Sequence, residues 1–221
     1  MNNREVIERV ASETKEVALM LSLGKDSLVL LDMMYPYFDR IVCVFMYFVK
    51  GLEHIDRYAR YVKKRYPKIE FVEVPHWTLT YILRSGMYCP PQKNRVMKLR
   101  DVCDGVCRKY GLKYVFLGMK KADSLNRRLM LKTYEPTYEN KGLVYPLADW
   151  TQKQVLTYIK MRHLPTPIRY SLKASSGVGF NKECFEWLRD NCPEDLEKIY
   201  KVFPLSRMIL EREKLDESIN D

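Results

Sequence analysis

The residues with the plainest chemical potential are Ser22, Gly24, Lys25, Asp26 and Ser27, a small polar cluster between two apolar runs. Val17 to Leu21 has the length and composition of a buried strand. After the cluster, Leu28, Leu31 and Met34-Tyr35 fall at helical spacing. Strand, tight polar turn and helix together make an anion cradle. The first N–H groups of a helix have no internal acceptor, and the helix dipole favours negative charge there. Gly24 lets the backbone approach a ligand closely, and Lys25 adds a compact positive charge. The cluster is not a Walker A loop, because Leu19 and Asp26 stand where that motif needs Gly and Ser or Thr.

Two more segments carry candidate chemistry. Gly118 to Arg128 reads Gly-Met-Lys-Lys-Ala-Asp-Ser-Leu-Asn-Arg-Arg, a polar, basic loop at the end of an expected strand. Asp149-Trp150 precedes a Thr151-x-x-Gln154 capping box, so Asp149 is either a helix-start residue or part of a site. Cys103 and Cys107 stand one helical turn apart and could share a metal or cluster, but Cys103 lies on an apolar stripe and fits a core role better. No Cys-x-x-Cys pair occurs among the six cysteines, and no disulfide framework is expected.

The elements that must position these residues follow from periodicity. Residues 3–15 form a short amphipathic helix. Ile41–Phe48, Ile69–Pro75 and Tyr114–Leu117 read as further strands. Leu52, Ile55, Ala59, Val62 and Tyr66 mark one helix at spacings of 3, 4, 3 and 4, ended by Pro67. Val96, Leu99, Cys103, Val106 and Tyr110 repeat the pattern and predict a helix over 93–110, capped by Gly111. A short helix is expected over Trp77–Arg84, a strand over Leu143–Leu147, a loop over Ser171–Phe180, and helices at Cys184–Leu188, Leu196–Tyr200 and Leu205–Leu215. Strands alternating with helices imply an α/β fold: a Rossmann-like, mainly parallel sheet with helices on both faces, over 1–180, with a helical C-terminal extension over 181–221. Ligands of such sheets bind outside the carboxyl ends of the strands, so the loops after Leu21, Phe48 and Leu117 should converge.

Composition narrows the partners. The chain is 47% hydrophobic and 30% charged, which is globular rather than disordered. No apolar run reaches the roughly 20 residues of a membrane span, and the N-terminus lacks the apolar core of a secretory signal. No membrane association and a cytoplasmic location are therefore expected. The net charge is +10; residues 194–221 hold eight acidic and five basic side chains, so the first 193 residues carry +13. That surface suits an anionic ligand: nucleotide, sulfate or nucleic acid. Six basic residues between Arg57 and Lys68 lie mostly on one helix's outer face, where they either contact nucleic-acid phosphates or are simply solvated.

Three segments together resemble one family. Ser22-Leu23-Gly24-Lys25-Asp26-Ser27 resembles the PP-loop, Ser-Gly-Gly-x-Asp-Ser, of the adenine nucleotide alpha-hydrolase-like superfamily. Gly118-x-Lys120-x-x-Asp123-Ser124-x-x-Arg127 is similar to the Gly-x-Arg-x-x-Glu-Ser-x-x-Arg signature of phosphoadenosine phosphosulfate (PAPS) reductases and of the small subunit of bacterial ATP sulfurylase. Tyr145-Pro146-Leu147-x-Asp149-Trp150, with Val155, Tyr158-Ile159 and Leu164-Pro165, is similar to a third segment of that family. The resemblance spans about residues 15–180 and implies a bound adenine nucleotide, ATP or PAPS. Its phosphates would sit on Ser22, Leu23, Gly24, Lys25, Asp26 and Ser27, and its adenine near Met20–Leu21 and Met46, Tyr47 and Phe48. Gly118, Asp123, Ser124 and Asp149 would complete the binding site. Lys25, Asp26, Lys120 and Arg127 are the implied catalytic residues, with Asp26 either holding Mg²⁺ or fixing the loop.

The departures shape the expected activity. Leu23 replaces a loop glycine and so is expected to lose access to positive φ. Lys120 and Asp123 keep the charge signs of Arg and Glu but not the bidentate fork. The chain lacks the family's C-terminal Glu-Cys-Gly-Leu-His, and Gly177-Val-Gly-Phe stands in place of Gly-Cys-x-x-Cys. Thiol-dependent sulfite release and an iron–sulfur cluster are therefore not expected. Three functions follow. One is an enzyme acting at the α-phosphate or sulfate of the nucleotide, adenylating an acceptor with release of pyrophosphate or transferring sulfur. Another is a PAPS reductase using Cys89 or Cys184. The last is a nucleotide-binding regulator without catalysis. The acceptor and the oligomeric state are not written in the sequence.

Overall fold

The computed structural model describes residues 2–165 and 180–211. The expected loop over Ser171–Phe180 and the last residues of the expected helix over Leu205–Leu215 therefore lie largely outside the described residues. The strands are β1 (Glu16–Met20), β2 (Arg40–Tyr47), β3 (Ile69–Pro75), β4 (Val115–Phe116), β5 (Glu139–Asn140) and β6 (Leu143–Val144). The helices are α1 (Asn3–Glu13), α2 (Lys25–Met34), α3 (Glu53–Arg65), α4 (Leu79–Ser85), α5 (Leu99–Tyr110), α6 (Leu125–Lys132), α7 (Gln152–Met161), α8 (Lys182–Asn191) and α9 (Pro193–Val202), followed by a 3₁₀ turn at Pro204–Arg207. Among the described residues no helix is long and apolar enough to cross a membrane.

The sheet has the order β3-β2-β1-β4-β6-β5 and is parallel except for the β5–β6 pair. This is the mainly parallel α/β architecture expected. β1 lies between β2 and β4 and is buried over Val17–Met20, which explains its unbroken apolar run. The chain steps outward from β1 to β2 and β3, then returns to place β4 on β1's other side. That reversal opens a crevice at the carboxyl ends of β1 and β4, the place where such sheets bind ligands.

α2 buries Leu28, Val29, Leu30, Leu31 and Met34. It also buries Asp32, whose Oδ1 accepts from the Tyr66 hydroxyl at 2.9 Å and whose Oδ2 accepts from the Tyr158 hydroxyl at 2.8 Å and Arg162 Nε at 2.9 Å. One carboxylate thereby ties α2 to the ends of α3 and α7. The Thr151–Gln154 capping box forms as expected, Gln154 N–H donating to Thr151 Oγ1 at 3.3 Å and Thr151 N–H to Gln154 Oε1 at 2.8 Å.

Three expectations need correction. The helix predicted over 93–110 begins at Leu99. Upstream, Asn94 Nδ2 donates to Thr80 O at 2.8 Å, Met97 N–H to Thr80 Oγ1 at 2.9 Å and Lys98 N–H to Asp101 Oδ2 at 2.7 Å. These tertiary and capping bonds take the place of a helical ladder, and Val96 is exposed, so its fit to the apolar stripe was accidental. The polar stretch Gly118–Arg128 is not all loop, since α6 starts at Leu125 with Ser124 as its N-cap. β5 was not anticipated. It pairs with β6 across Lys141-Gly142, both at positive φ, the geometry of a tight two-residue hairpin. A Cβ on Gly142 would come 2.5 Å from Lys113 O, so glycine is required there.

Candidate functional site

Leu23 corrects the reading of the polar loop. It adopts φ 60° although it is not glycine, and its side chain is buried at 5% exposure. Left-handed backbone costs a residue with a Cβ roughly 1–2 kcal/mol, while burying a leucine side chain returns about 1.5–3 kcal/mol. The loop therefore keeps its shape without the glycine. Gly24 is the N-cap of α2. Ser27 Oγ donates to Gly24 O at 3.0 Å, Gly24 N–H points at Ser22 Oγ at 3.4 Å, and the two serine hydroxyls lie 3.2 Å apart. These bonds hold both hydroxyls beside the N-terminal turn of α2.

Gly118, at the end of β4, abuts this turn. A Cβ there would lie 3.2 Å from the Asp26 carbonyl carbon and 3.3 Å from Ser27 N, so glycine allows the two strand-end loops to touch. Behind the contact runs an alternating chain of charges. Asp26 Oδ2 lies 3.0 Å from Lys25 Nζ, and Asp26 Oδ1 lies 2.6 Å from Lys120 Nζ. Lys120 Nζ is also 2.8 Å from Asp123 Oδ1, and Asp123 Oδ2 is 2.7 Å from Arg127 Nη1. The Lys120 side chain is 1% exposed. Its contact with Asp26 is ionic, without hydrogen-bond geometry. Burial pushes the Asp123 carboxyl up, but the ammonium and N–H of Lys120 and the Arg127 guanidinium outweigh it and hold its pKa below the ordinary value.

A cavity of about 570 Å³ opens over the carboxyl ends of β1, β2, β3 and β4. Its polar end is lined by Ser22, Asp26, Ser27, Gly118 and Arg127; its other walls include Met20, Met46, Tyr47, Phe48, His76, Trp77, Leu99 and Asn181. Ser22, Asp26, Ser27, Met46, Tyr47, Phe48, Gly118 and Arg127 are thus brought together as expected. Leu23, Gly24 and Lys25 shape the loop from beside the cavity, and Ser124 caps α6 by accepting from Arg127 N–H at 3.2 Å. Lys120, expected to face the reacting group, lies behind the wall between two carboxylates. Asp149 does not line the cavity; it pairs with Lys121 Nζ at 2.7 Å and accepts from the Tyr138 hydroxyl.

The sequence reading missed His76 and Trp77. Their position directly after β3, at a strand's carboxyl end, was the available signal. His76 N–H extends the strand pairing by donating to Tyr47 O at 2.8 Å. His76 Nδ1 lies 2.6 Å from Thr78 Oγ1 and accepts from Thr78 N–H at 3.2 Å. A backbone N–H can only donate, so Nδ1 is the acceptor and the ring proton sits on Nε2. Burial lowers the His76 pKa and keeps the ring neutral near pH 7.

The donors around Asp26 were weighed for a cation. Its oxygen set is hard, but both carboxylate oxygens face ammonium groups, which a divalent ion would have to displace. The arrangement fits the loop-fixing role. Burial pushes the Cys103 thiol up to about 12 and raises that of Cys107 too, against the thiolates a shared metal needs. His54, Cys192 and Asp195 bring ligand atoms within 4.8 Å of one another. There, Asp195 Oδ1 already accepts from Glu53 N–H and Lys198 Nζ, and Oδ2 from His54 N–H and Nδ1, so the carboxylate is filled by protein donors.

Residues 16–172 match the phosphoadenosine phosphosulfate reductase domain family. The chain belongs to that family. It is thereby a PP-loop protein. No curated protein matches the sequence. Among solved structures, the phosphate complex of PAPS reductase from Candida auris superposes with a TM-score of 0.50 at 17% identity, covering 75% of this chain and 82% of that one. The U34-tRNA thiolase NcsA from Methanococcus maripaludis, with its [4Fe-4S] cluster, gives 0.46 at 16% identity, covering 94% and 77%. At 17% identity the likeness to the Candida auris enzyme is one of fold.

Proposed function

We propose that this PAPS reductase family member binds an adenine nucleotide, ATP or PAPS, and acts at its α-phosphate or sulfate. The observation that carries the reading is the single cavity joining the N-terminal turn of α2, the Ser22 and Ser27 hydroxyls, Arg127 opposite, and the apolar strand ends Met46–Phe48. Phosphate oxygens would take the loop's N–H groups and hydroxyls. In the adenylation reaction an acceptor's lone pair forms the bond to the α-phosphorus, the bond to the bridging oxygen breaks, and pyrophosphate leaves with the electron pair. Arg127 would stabilise the charge that grows on the phosphoryl oxygens. Lys120 acts through others, holding Asp26 and Asp123 and thereby the loop and Arg127.

The reductase route finds less support. No described cysteine lines the cavity; Cys89 and Cys184 are buried elsewhere, and burial raises the Cys89 thiol. The argument for a non-catalytic binder from Leu23 also weakens, because the loop keeps its positive φ. The test is to incubate the full chain with α-labelled ATP, Mg²⁺ and nucleophilic acceptors, and separately with PAPS and a dithiol. AMP formation that Arg127→Ala abolishes supports the reading. Nucleotide binding with neither AMP nor sulfite formed would leave the chain a binder.

A further inference from the structure

The cavity has two chemically different ends. The hydroxyls, Asp26 and Arg127 line one of them, over β1 and β4. Over β2 and β3 the wall is made of rings. Phe48 stacks on His76 with centroids 4.5 Å apart and planes 22° apart, and His76 stacks on Trp77 at 5.7 Å and 28°. Phe180 meets Phe48 edge-on at 5.6 Å. Phe48, His76 and Trp77 are all partly exposed and all line the cavity.

This end presents donors. His76 Nδ1 is committed to Thr78, which leaves the Nε2–H without a protein partner among the described residues and not sealed from solvent. The Trp77 indole N–H is in the same state. Asn181 Oδ1 accepts from Cys184 N–H at 2.9 Å, so its amide N–H₂ remains. Among the described residues no carboxylate lines the ring end to take these protons. On the reading proposed above, the nucleotide's own ring would lie over the end of β2. The end of β3 lies one strand spacing further, about 4.8 Å, within the separation of neighbouring stacked rings.

We propose that the ring end of the cavity is a second subsite, for a planar nucleobase-type heterocycle of the acceptor substrate whose edge presents hydrogen-bond acceptors, with His76 Nε2–H as the residue that selects it. The proposal rests on the reading that the polar end holds the nucleotide's phosphates. A carbonyl-edged ring satisfies the donors, whereas an amino-edged ring sets donor against donor and leaves buried N–H groups unpaired.

Tryptophan fluorescence tests this on the full chain saturated with ATP, titrated with uridine, guanosine, cytidine and adenosine. Uridine and guanosine are expected to quench and to bind more tightly than cytidine and adenosine, and the signal should vanish in Trp77→Phe. His76→Phe, which keeps a stacking ring but no donor, should weaken uridine binding about tenfold and erase the preference; His76→Gln, which keeps an N–H, should retain part of the preference. Circular dichroism establishes that each variant is folded. The proposal is overturned if no nucleoside quenches Trp77, if saturating ATP abolishes the quenching so that the adenine itself fills this end, or if His76→Phe binds all four nucleosides as the wild type does. If ATP does not bind but nucleosides still quench Trp77 with the stated preference, the phosphate reading fails and the ring subsite stands.

Discussion

At Leu23 two opposing effects meet in one residue. The backbone conformation disfavours any Cβ, while the side chain fills a buried position. Truncation to alanine keeps the backbone penalty and loses the burial; truncation to glycine loses both. Leu23→Gly is therefore expected to be more stable than Leu23→Ala by about 1 kcal/mol, the reverse of the order in regular elements, as read by urea denaturation. Lys120 and Arg127 separate in the same residue-level way. Lys120 is sealed between Asp26 and Asp123, so Lys120→Met leaves two carboxylates facing each other and should cost about 3 kcal/mol of stability. Arg127 is half exposed at the cavity wall, so Arg127→Ala should leave the melting temperature within a few degrees while weakening ATP binding about tenfold by calorimetry.

At the scale of elements, α9 caps α3 across the fold. The Asp195 carboxylate accepts from the Glu53 and His54 N–H groups at 2.9 Å each, supplying the N-terminal cap that Leu52 cannot. The same carboxylate accepts from His54 Nδ1 at 2.6 Å. Burial lowers the His54 pKa, only partly offset by Asp195, so the folded ring stays neutral where the unfolded one takes a proton. A folded pKa below the unfolded 6.5 means that stability is complete above that pH and falls as pH drops beneath it. The free energy of unfolding should therefore decline as pH falls below 6.5, and His54→Gln should flatten that decline. Asp195 titrates far lower: burial pushes its carboxyl up, but the His54 and Glu53 donors and Lys198 hold it well below the usual carboxylate range, so its loss belongs to acid unfolding.

For the whole molecule, the topology makes the crevice and the charge feeds it. The reversal at β1 brings the Ser22–Ser27 turn and the Gly118 turn side by side. A net charge of +10 attracts anions to the molecule as a whole, and salt screens that attraction within about 8 Å at physiological ionic strength. ATP affinity is expected to fall between 50 and 300 mM NaCl, more steeply for the wild type than for Arg127→Ala, as measured by calorimetry. A nucleic-acid partner for the basic face of α3 would show as a salt-dependent mobility shift. Several of those side chains are already engaged, Arg60 with Glu53 at 2.6 Å and Lys63 over the Phe71 ring at 4.7 Å.

The linear chain by itself determined the α/β class, the parallel order of strands and helices, the PP-loop and the family. Each of these rests on local spacing: apolar runs of strand length, stripes at 3 and 4, and three short motifs in order. It also placed Ser22, Asp26, Ser27, Gly118 and Arg127 at one site, because strand-end loops of a parallel sheet must converge. What only the tertiary structure decided was which of the neighbouring polar groups reaches the cavity. Lys120 and Arg127 are both basic and seven residues apart, yet one is locked behind the wall by two carboxylates and the other opens onto it. The ring wall that Phe48 forms with His76 is likewise a contact between distant segments, whereas the tautomer of His76 is set locally by Thr78 and still needed the folded geometry to be read. Burial and hydrogen-bond partners assign such roles, and residues far apart in the chain supply them.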